Sequence, residues 1–255
     1  MTRPLNDLVE SWQRAGIAPG DTVLIHSSIR RTSALGYSAE DIKTSFLEAV
    51  GPEGTVLFPL FNFDFCKGVP FDMRSSPSHM GALTEAARQD PRAIRTGHPV
   101  YSFAVIGAHA EVFRDLCNSS GYGTDSPFAM LRRMQGKIAV LDLMGQNSMT
   151  FYHHVEEILD VDYRYHKAFT APYTDHNGIE TTRTFSIFVR DIERGVLTHV
   201  NPMDDKLWEL GLYSGCKPKE DYGLRVIDAR SLFDAVADVI RKGRAEGQLY
   251  RIDST

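Results

Sequence analysis

Residues 22–60 decide the fold, and they read TVLIHSSIRRTSALGYSAEDIKTSFLEAVGPEGTVLFPL. The runs from Thr22 to His26 and from Thr55 to Leu60 are apolar or β-branched at nearly every position, as buried strands are. Between them, Ala39 to Val50 carries apolar residues at helical spacing. This strand, helix, strand order predicts two parallel strands joined by a right-handed crossover, in a sheet that helices cover on both faces.

The rest of the chain extends this unit without a linker, a repeat or a low-complexity tract. From Thr170 to about Val200, short alternating strands with a turn at Gly178 predict an antiparallel insertion. We therefore expect a single domain over residues 1–255, an α/β fold. Its form is a three-layer α/β/α sandwich with a mixed, largely parallel central sheet and a small antiparallel insertion at roughly 170–200. The further predicted elements are helices over 5–15, 81–89, 108–117 and 231–244, and strands over 101–106 and 137–143.

The composition is that of an ordinary globular chain, 42% hydrophobic and 24% charged. A net charge of -5 argues against a nucleic-acid binder, because recognition of a phosphate backbone needs a basic face. The chain has no signal-peptide pattern and no apolar run of the roughly 18 to 20 residues that a membrane span needs, so we expect a cytoplasmic protein without a membrane partner.

Cys66, Cys117 and Cys216 show no CxxC spacing and predict neither a disulfide framework nor a zinc ribbon.

The stretch from Thr150 to Glu157, TFYHHVEE, holds the strongest chemical signal. His153 and Glu156 lie three positions apart, so on a helix the carboxylate can orient the imidazole and raise its basicity, which favours a general base. The same spacing also fits a polar pair on the surface of a helix. The adjacent histidines His153 and His154 point to different sides of a helix, unlike those of an HExxH motif, so no metal is expected.

Two polar loops follow predicted strands and offer sites for a ligand. Ser27 and Ser28 end the first strand, where hydroxyls and backbone N–H groups can hold an anion. In the loop from Tyr122 to Pro127, Gly123 lets a ligand approach the backbone and Ser126 can cap the next helix. Ordinary helix caps explain both loops equally well. Neither loop contains GxGxxG or GxxxxGK[ST], which argues against a dinucleotide or NTP enzyme.

Five motifs, taken in order, resemble the aminoglycoside 3-N-acetyltransferase family, whose members depend on acetyl-CoA and are distinct from the GNAT acetyltransferases. The resemblance covers roughly residues 5–170 and is looser beyond them. The motifs are Ile25-His26-Ser27-Ser28, Phe71-Asp72 with Ser76-Pro77 and Gly81-Ala-Leu-Thr-Glu85, Arg95-Thr-Gly-His98-Pro-Val-Tyr101-Ser-Phe, Tyr122-Gly123-x-x-Ser126-Pro127 and Thr150-x-x-His153-x-x-Glu156.

The resemblance implies direct transfer of an acetyl group from acetyl-CoA to a primary amine of an amino-sugar. It implies that His153 is the general base, that Glu156 orients it, and that His98 lies beside the same cleft. The partners are then coenzyme A and a small-molecule amine, and a homodimer is the commonest assembly for such a chain. The residues expected near coenzyme A are His26, Ser27, Ser28, Tyr122, Gly123 and Ser126; those expected near the amine are Asp64, Tyr101, Asp142 and Glu157.

The identity of the acceptor stays open at this level. A many-charged aminoglycoside needs acidic residues around the cleft, whereas an amino-sugar linked to a nucleotide needs cations, for which Arg74, Arg164 and Lys167 are candidates. The phenylalanine-rich loop around Asp64 favours a smaller amine. A relative that binds coenzyme A or a sugar without catalysis, and a hydrolase that uses the same histidine, are the alternatives from other classes.

Overall fold

A computed structural model describes residues 4–217 and 223–253 of the chain. The helices are α1 (Leu5–Ala15), α2 (Arg30–Ala34), α3 (Ala39–Val50), α4 (Ala82–Gln89), α5 (Pro127–Arg133), α6 (Phe151–Ile158), α7 (Asn201–Glu209) and α8 (Ala229–Arg241). The strands are β1 (Thr22–Ser27), β2 (Thr55–Pro59), β3 (Phe71–Asp72), β4 (Ile94–Arg95), β5 (Phe103–Gly107), β6 (Lys137–Leu141), β7 (Arg164–Thr174), β8 (Glu180–Arg190), β9 (Val196–Thr198), β10 (Tyr213–Gly215), β11 (Leu224–Asp228) and β12 (Tyr250–Ile252).

The central sheet has seven strands in the order β10, β11, β6, β1, β2, β5, β4. Strand β1 pairs in parallel with β2 and with β6, as the opening stretch predicts. The pairs β2 with β5, β4 with β5, β6 with β11 and β10 with β11 are antiparallel. The sheet is therefore mixed, as expected, but its parallel part is limited to the three central strands, and the expectation of a largely parallel sheet is corrected.

The antiparallel pairing of β2 with β5 follows from the course of the chain between the two strands. After β2 the chain stays at the carboxyl end of the parallel strands, and the pairing continues beyond the strand through hydrogen bonds from Leu60 N–H to Ser102 C=O and from Asn62 N–H to Val100 C=O. The segment between Asn62 and Val100 thus leaves the sheet and returns to it at that same end. This end is where ligands bind in open α/β sheets.

Alternate side chains of the central strands supply two separate cores. In β1, Val23 and Ile25 pack with α1, α3 and α4, whereas Leu24 packs with α5, α6 and α8 on the opposite face. This follows from the two-residue period of a strand, because successive side chains point to opposite faces. Helices therefore cover both faces, and the predicted three-layer α/β/α arrangement is confirmed.

The insertion is a hairpin of two long strands, β7 and β8, with Gly178 in the turn at a φ of 82°. It begins at Arg164, somewhat before the predicted start at 170, and β3 pairs with it in parallel. Ala171, Tyr173, Phe185 and Ile187 bury one side of the hairpin in the same core as α6. The first part of the hairpin is thereby held close to the His153 helix.

One predicted helix is wrong. The segment 108–117 forms only a short 3-10 turn, Ala110–Phe113. It buries Ala110 and Phe113 while Val112 is exposed, so it lacks the apolar stripe that would pack a longer helix. The carbonyl of Leu116 instead accepts a hydrogen bond from Gly97 N–H beside β4. In the part of the chain that the structure describes, no helix is both long and apolar enough to cross a membrane.

Candidate active site

Helix α6 presents His153 and Glu156 on one face, as their spacing predicts. Phe151, Tyr152 and Val155 are fully buried and anchor the other faces of the helix in the core. Half of the helix is polar, and among its polar residues His154 and Glu156 are buried while His153 and Glu157 are partly exposed. The local sequence therefore determines which side chains the helix offers to a ligand.

The His153 and Glu156 side chains are in direct contact. The Nδ1 atom of His153 lies 2.7 Å from Oε2 of Glu156, whose side chain is 1% exposed. The Tyr163 hydroxyl donates to Oε1 at 3.0 Å, and Arg164 Nε lies 2.7 Å from Oε2 as an ion-pair contact. Burial by itself raises the pKa of the Glu156 carboxyl, but Arg164, His153 and Tyr163 outweigh it and lower that pKa. The carboxylate therefore stays ionised beside the ring.

The surroundings of His153 favour the neutral form of its imidazole. Burial lowers its pKa from the ordinary value of 6.5, Arg164 lowers it further, and the hydrogen bond to Glu156 opposes both. Because Glu156 accepts from Nδ1–H, the neutral ring has its lone pair on Nε2. A base that is unprotonated at neutral pH can accept a proton at this atom.

His153 lies where two cavities meet. The larger cavity, about 520 Å³, is lined mainly by side chains of the β7–β8 hairpin together with Phe63, Tyr101 and Tyr122. The smaller cavity, about 150 Å³, is lined by the loop 145–150 with Thr198 and Val200. His153 and Thr198 line both. Two different molecules can therefore approach the same imidazole from two directions.

The wall of the smaller cavity is held rigidly by the segment before α7. The side chain of Gln146 donates from its Nε2 to Thr198 C=O at 3.0 Å and accepts from Val200 N–H at 3.0 Å. The Gln146 N–H donates to Oδ1 of Asn201 at 2.9 Å. Gly145 packs so closely on Asp204 that a Cβ there would lie 2.9 Å from the Asp204 Cβ.

A buried charged group beneath this wall was missed by the sequence reasoning. Arg225 is completely buried in β11, 3.6 Å from Asp204 and within hydrogen-bond distance of the Leu143 carbonyl. The Tyr213 hydroxyl donates to Asp204 at 2.6 Å. The available signal was an arginine within the otherwise apolar strand LRVI, since a buried arginine requires partners.

The strand-end residues proposed for coenzyme A lie at the carboxyl end of β1 but line neither cavity. His26 is buried, and burial, aided by Arg225, lowers its pKa to about 4. Ser27 and Ser28 are half-buried, and the N–H of Ser28 donates to the Leu141 carbonyl of β6. The hydroxyls of both serines remain available at this end of the sheet.

The residues of the second predicted loop, from Tyr122 to Ser126, have different surroundings. Tyr122 lines the larger cavity, with its ring 4.7 Å from that of Tyr101 and 5.4 Å from that of His153. Ser126 is buried and caps α5, where its Oγ accepts from Ala129 N–H at 3.3 Å, and its contact with coenzyme A stays a prediction. Gly123 packs against side chains, because a Cβ there would lie 3.2 Å from Oε1 of Glu157.

The ring of His98 is held by backbone groups, and its expected catalytic role stays a prediction. It is completely buried and lines neither cavity. Its Nδ1 accepts from the N–H groups of Val100 and Tyr101, and its Nε2 donates to the Ser186 carbonyl at 3.2 Å. Both ring nitrogens are thus occupied by backbone groups, and burial lowers the pKa of the ring to about 4.

Of the residues expected to bind the amine, Tyr101 lines the larger cavity and the others do not. Asp64 forms ion pairs with Lys67 at 3.1 Å and His79 at 3.6 Å. Glu157 accepts from the Ser120 hydroxyl at 2.8 Å, and burial raises its pKa. Asp142 follows β6 with a φ of 52°. None of these three residues lines the larger cavity, and their contact with an amine stays a prediction.

His154 turns to the opposite side of α6 from His153, as two adjacent helical positions must. It is buried, and its Nδ1 donates to the Tyr122 carbonyl at 2.6 Å. Within residues 4–217 and 223–253, no group of three or more His, Cys, Asp or Glu side chains is placed to hold a metal ion.

Comparison with known proteins gives consistent results. Residues 24–240 match the family model described as Aminoglycoside 3-N-acetyltransferase. A curated relative, aminoglycoside N(3)-acetyltransferase IX of Micromonospora chalcea, is 31% identical over 169 residues, which span 57% of this chain and 59% of the relative. The crystal structure of the aminoglycoside acetyltransferase AAC(3)-Xa superposes with a TM-score of 0.79 at 25% identity, over 94% of this chain and 93% of that one. A structure of AAC-IIIb with CoASH shares the fold, with a TM-score of 0.78 at 22% identity over 99% of each chain.

Proposed function

This chain belongs to the aminoglycoside 3-N-acetyltransferase family, and from that premise we propose that it transfers an acetyl group from acetyl-CoA to a primary amine of an amino-sugar. The observation that carries the proposal is the position of His153, held by Glu156 at the junction of two cavities. A transferase must bring two substrates to one base, and two cavities that share one histidine meet this requirement. We propose that residues 1–255 act as one domain in this reaction.

The two cavities differ in the substrate that they fit. The smaller one, at about 150 Å³, lies below the roughly 300 to 1,000 Å³ of a typical ligand pocket and suits the narrow thioester end of acetyl-CoA. Its wall follows β6, at the same sheet end as Ser27 and Ser28, which we keep as candidate contacts for the rest of coenzyme A. The larger cavity, at about 520 Å³, is then left for the acceptor amine.

The reaction requires the acceptor ammonium to lose a proton before its nitrogen can attack the thioester. The Nε2 atom of His153 takes that proton, and the ion pair with Glu156 stabilises the imidazolium that forms. The new C–N bond forms as the carbonyl oxygen becomes an oxyanion. Collapse of this intermediate breaks the C–S bond, the nitrogen releases its remaining extra proton to solvent, and the thiolate of coenzyme A receives the proton from His153.

Direct transfer needs no acyl-enzyme. Cys66 lines the larger cavity, but burial raises the pKa of its thiol to about 11, so the thiolate that would attack is scarce at neutral pH. The described residues around it supply no histidine within hydrogen-bond distance. A cysteine intermediate is therefore not part of the proposal.

Release of free coenzyme A tests this function. With acetyl-CoA and a primary amine, the purified chain should produce coenzyme A and the acetylated amine in equal amounts, measured by thiol titration and mass spectrometry. Without an amine, release should fall to the background rate, because water is not the proposed acceptor. Equal release with and without amine would identify a hydrolase instead, and no release with any amine would favour a binding protein without catalysis.

The pH dependence of kcat follows from the lowered pKa of His153. The neutral imidazole is the active form, so kcat should be constant through neutral pH and should fall only as the pH drops below 6.5 and the ring becomes protonated. The measurement is kcat at saturating substrates from pH 4.5 to 8.5, in buffers of constant ionic strength. A loss of activity centred above pH 6.5 would contradict this assignment of the base.

A further inference from the structure

The larger cavity is basic. Its lining includes Arg164, Lys167 and Arg190, and no Asp or Glu occurs among the described residues that line it. Arg164 is compensated by Glu156 at 2.7 Å. Lys167 and Arg190 have no carboxylate partner within residues 4–217 and 223–253. Two positive charges in this cavity are therefore available to a ligand.

Both free cations belong to the β7–β8 hairpin, close to the dyad. Arg190 pairs with Arg164 across the hairpin, and its positive charge contributes to the lowered pKa of His153, which places it beside the base. Lys167 pairs with Ile187 and lies nearer to Cys66, on whose thiol its charge acts. The two cations thus flank the space that an acceptor must enter to reach Nε2 of His153.

The same cavity exposes large apolar side chains. Phe63 is 46% exposed, Tyr165 47% and Ile192 66%, and all three line the cavity. Exposed apolar surface that clusters around an opening is typical of a ligand site. The wall is therefore suited to a flat or apolar portion of the acceptor, next to two cations.

The acidic residues that would attract a polycation lie elsewhere. Asp64 and Asp191 each adjoin lining residues in sequence, but Asp64 is paired with Lys67 and Asp191 accepts from the N–H of Arg194. An acceptor with several ammonium groups would bring like charges towards Lys167 and Arg190 without carboxylates to offset them. Such repulsion is strongest where part of the solvent is excluded.

We propose that the acceptor is an amine that also carries an anionic group, a phosphate or a carboxylate, and that Lys167 and Arg190 bind this group. This inference rests on the proposed function, since it assigns the larger cavity to the acceptor. The anion anchors the molecule in the hairpin half of the cavity, and the primary amine points towards Nε2 of His153. A phosphate and a carboxylate share the chemistry that both cations recognise.

Matched pairs of amines test the proposal. The pairs are benzylamine with 4-(aminomethyl)benzoate, and glucosamine with glucosamine 6-phosphate; each pair differs by one anionic group. In both pairs the anionic member should have the higher kcat/KM, by about tenfold, as expected for one charge-assisted contact. The larger gain identifies the anion as carboxylate or phosphate. Sisomicin, a polycation, should be a poorer substrate than either anionic amine.

Substitution of the cations separates acceptor binding from other roles. Lys167→Gln and Arg190→Gln should each raise KM for the anionic amines several-fold, reduce the ratio of kcat/KM between the anionic and the neutral member of a pair, and leave KM for acetyl-CoA unchanged. Arg14→Gln removes one exposed cation from α1, far from the cavity, and should change nothing. A loss of the anion preference in either hairpin variant supports the site.

Three results would overturn the proposal. These are an anion preference that neither variant reduces, a rise in KM for acetyl-CoA alone, which would assign the cations to coenzyme A, and a higher kcat/KM for sisomicin than for the anionic amines. Calorimetric binding of 4-(aminomethyl)benzoate is measured alongside turnover. Binding that needs Lys167 or Arg190 without any acetyl transfer would keep the anion site and refute the proposed function. Acetyl transfer without an anion preference would refute the anion site and keep the proposed function.

Discussion

Replacement of His153 by alanine should lower kcat for acetyl transfer by about 10² to 10⁴, the usual contribution of a positioned general base. The variant keeps Glu156 and both cavities but loses the atom that takes the proton from the amine. Its dissociation constant for coenzyme A should stay close to that of the unchanged protein, because the ring is only one part of the cavity lining. Steady-state release of coenzyme A and calorimetric binding measure the two effects.

His176→Ala is the matched control for this experiment. His176 is exposed near the turn of the hairpin and is not part of the lining of either cavity beside His153. Its removal should leave kcat and binding unchanged. Full activity in His153→Ala would refute the assignment of the base, and a parallel loss of binding and folding would show that the ring acts structurally.

Replacement of Glu156 by glutamine should lower both stability and activity. Arg164, whose side chain is 6% exposed, would lose its carboxylate partner, and an uncompensated buried charge costs about 3 to 5 kcal/mol of the free energy of unfolding. The amide also stabilises an imidazolium less well than a carboxylate does, so kcat should fall as well. Urea denaturation and release of coenzyme A by the folded fraction provide the measurements.

Two further variants identify the cause of that loss. Glu157→Gln removes the neighbouring carboxylate, which is held by the Ser120 hydroxyl and not by a cation, and should cost much less stability. The double variant Glu156→Gln with Arg164→Met removes both charges and should recover part of the stability but not the activity. Equal stability of Glu156→Gln and the unchanged protein would contradict the role of the ion pair with Arg164.

The parts of the fold that the sequence predicts are those determined by nearby residues. The β1, α3, β2 unit is encoded by apolar periodicity within one short stretch, and its helix bounds, Ala39–Val50, are those predicted. The dyad is likewise local, because three positions on a helix suffice to bring His153 to Glu156. The direction of β5 is not local, since it depends on where the preceding long loop ends.

The composition of the acceptor cavity could not be read from local patterns. Arg190, at the end of the hairpin, and Thr198, in β9, line one cavity with His153 although they are distant from it in sequence, and neither belongs to a motif. Asp64 is the converse case: it adjoins a lining residue of the larger cavity in sequence, but its carboxylate is paired with Lys67. A resemblance carried by motifs identifies the dyad, but the charge of the cavity becomes visible only when distant segments are brought together.

The same limit applies to His98 and Ser126. Both occur in motifs that resemble the family, yet one is fully occupied by backbone groups and the other caps α5. A motif records that a residue type is needed and does not distinguish a structural need from a chemical one. For these two residues the hydrogen-bond partners make that distinction.

Chemical rescue of His153→Ala by imidazole tests the central claim most directly. The substitution leaves room beside Glu156 at the junction of the two cavities, and a free base bound there can take the proton from the amine. The account predicts that added imidazole restores release of coenzyme A in a saturable manner, only when an amine is present, and increasingly as the pH rises through the pKa of the added base. Unrescued loss in a variant that still folds and binds both substrates would contradict the assignment of His153 as the base.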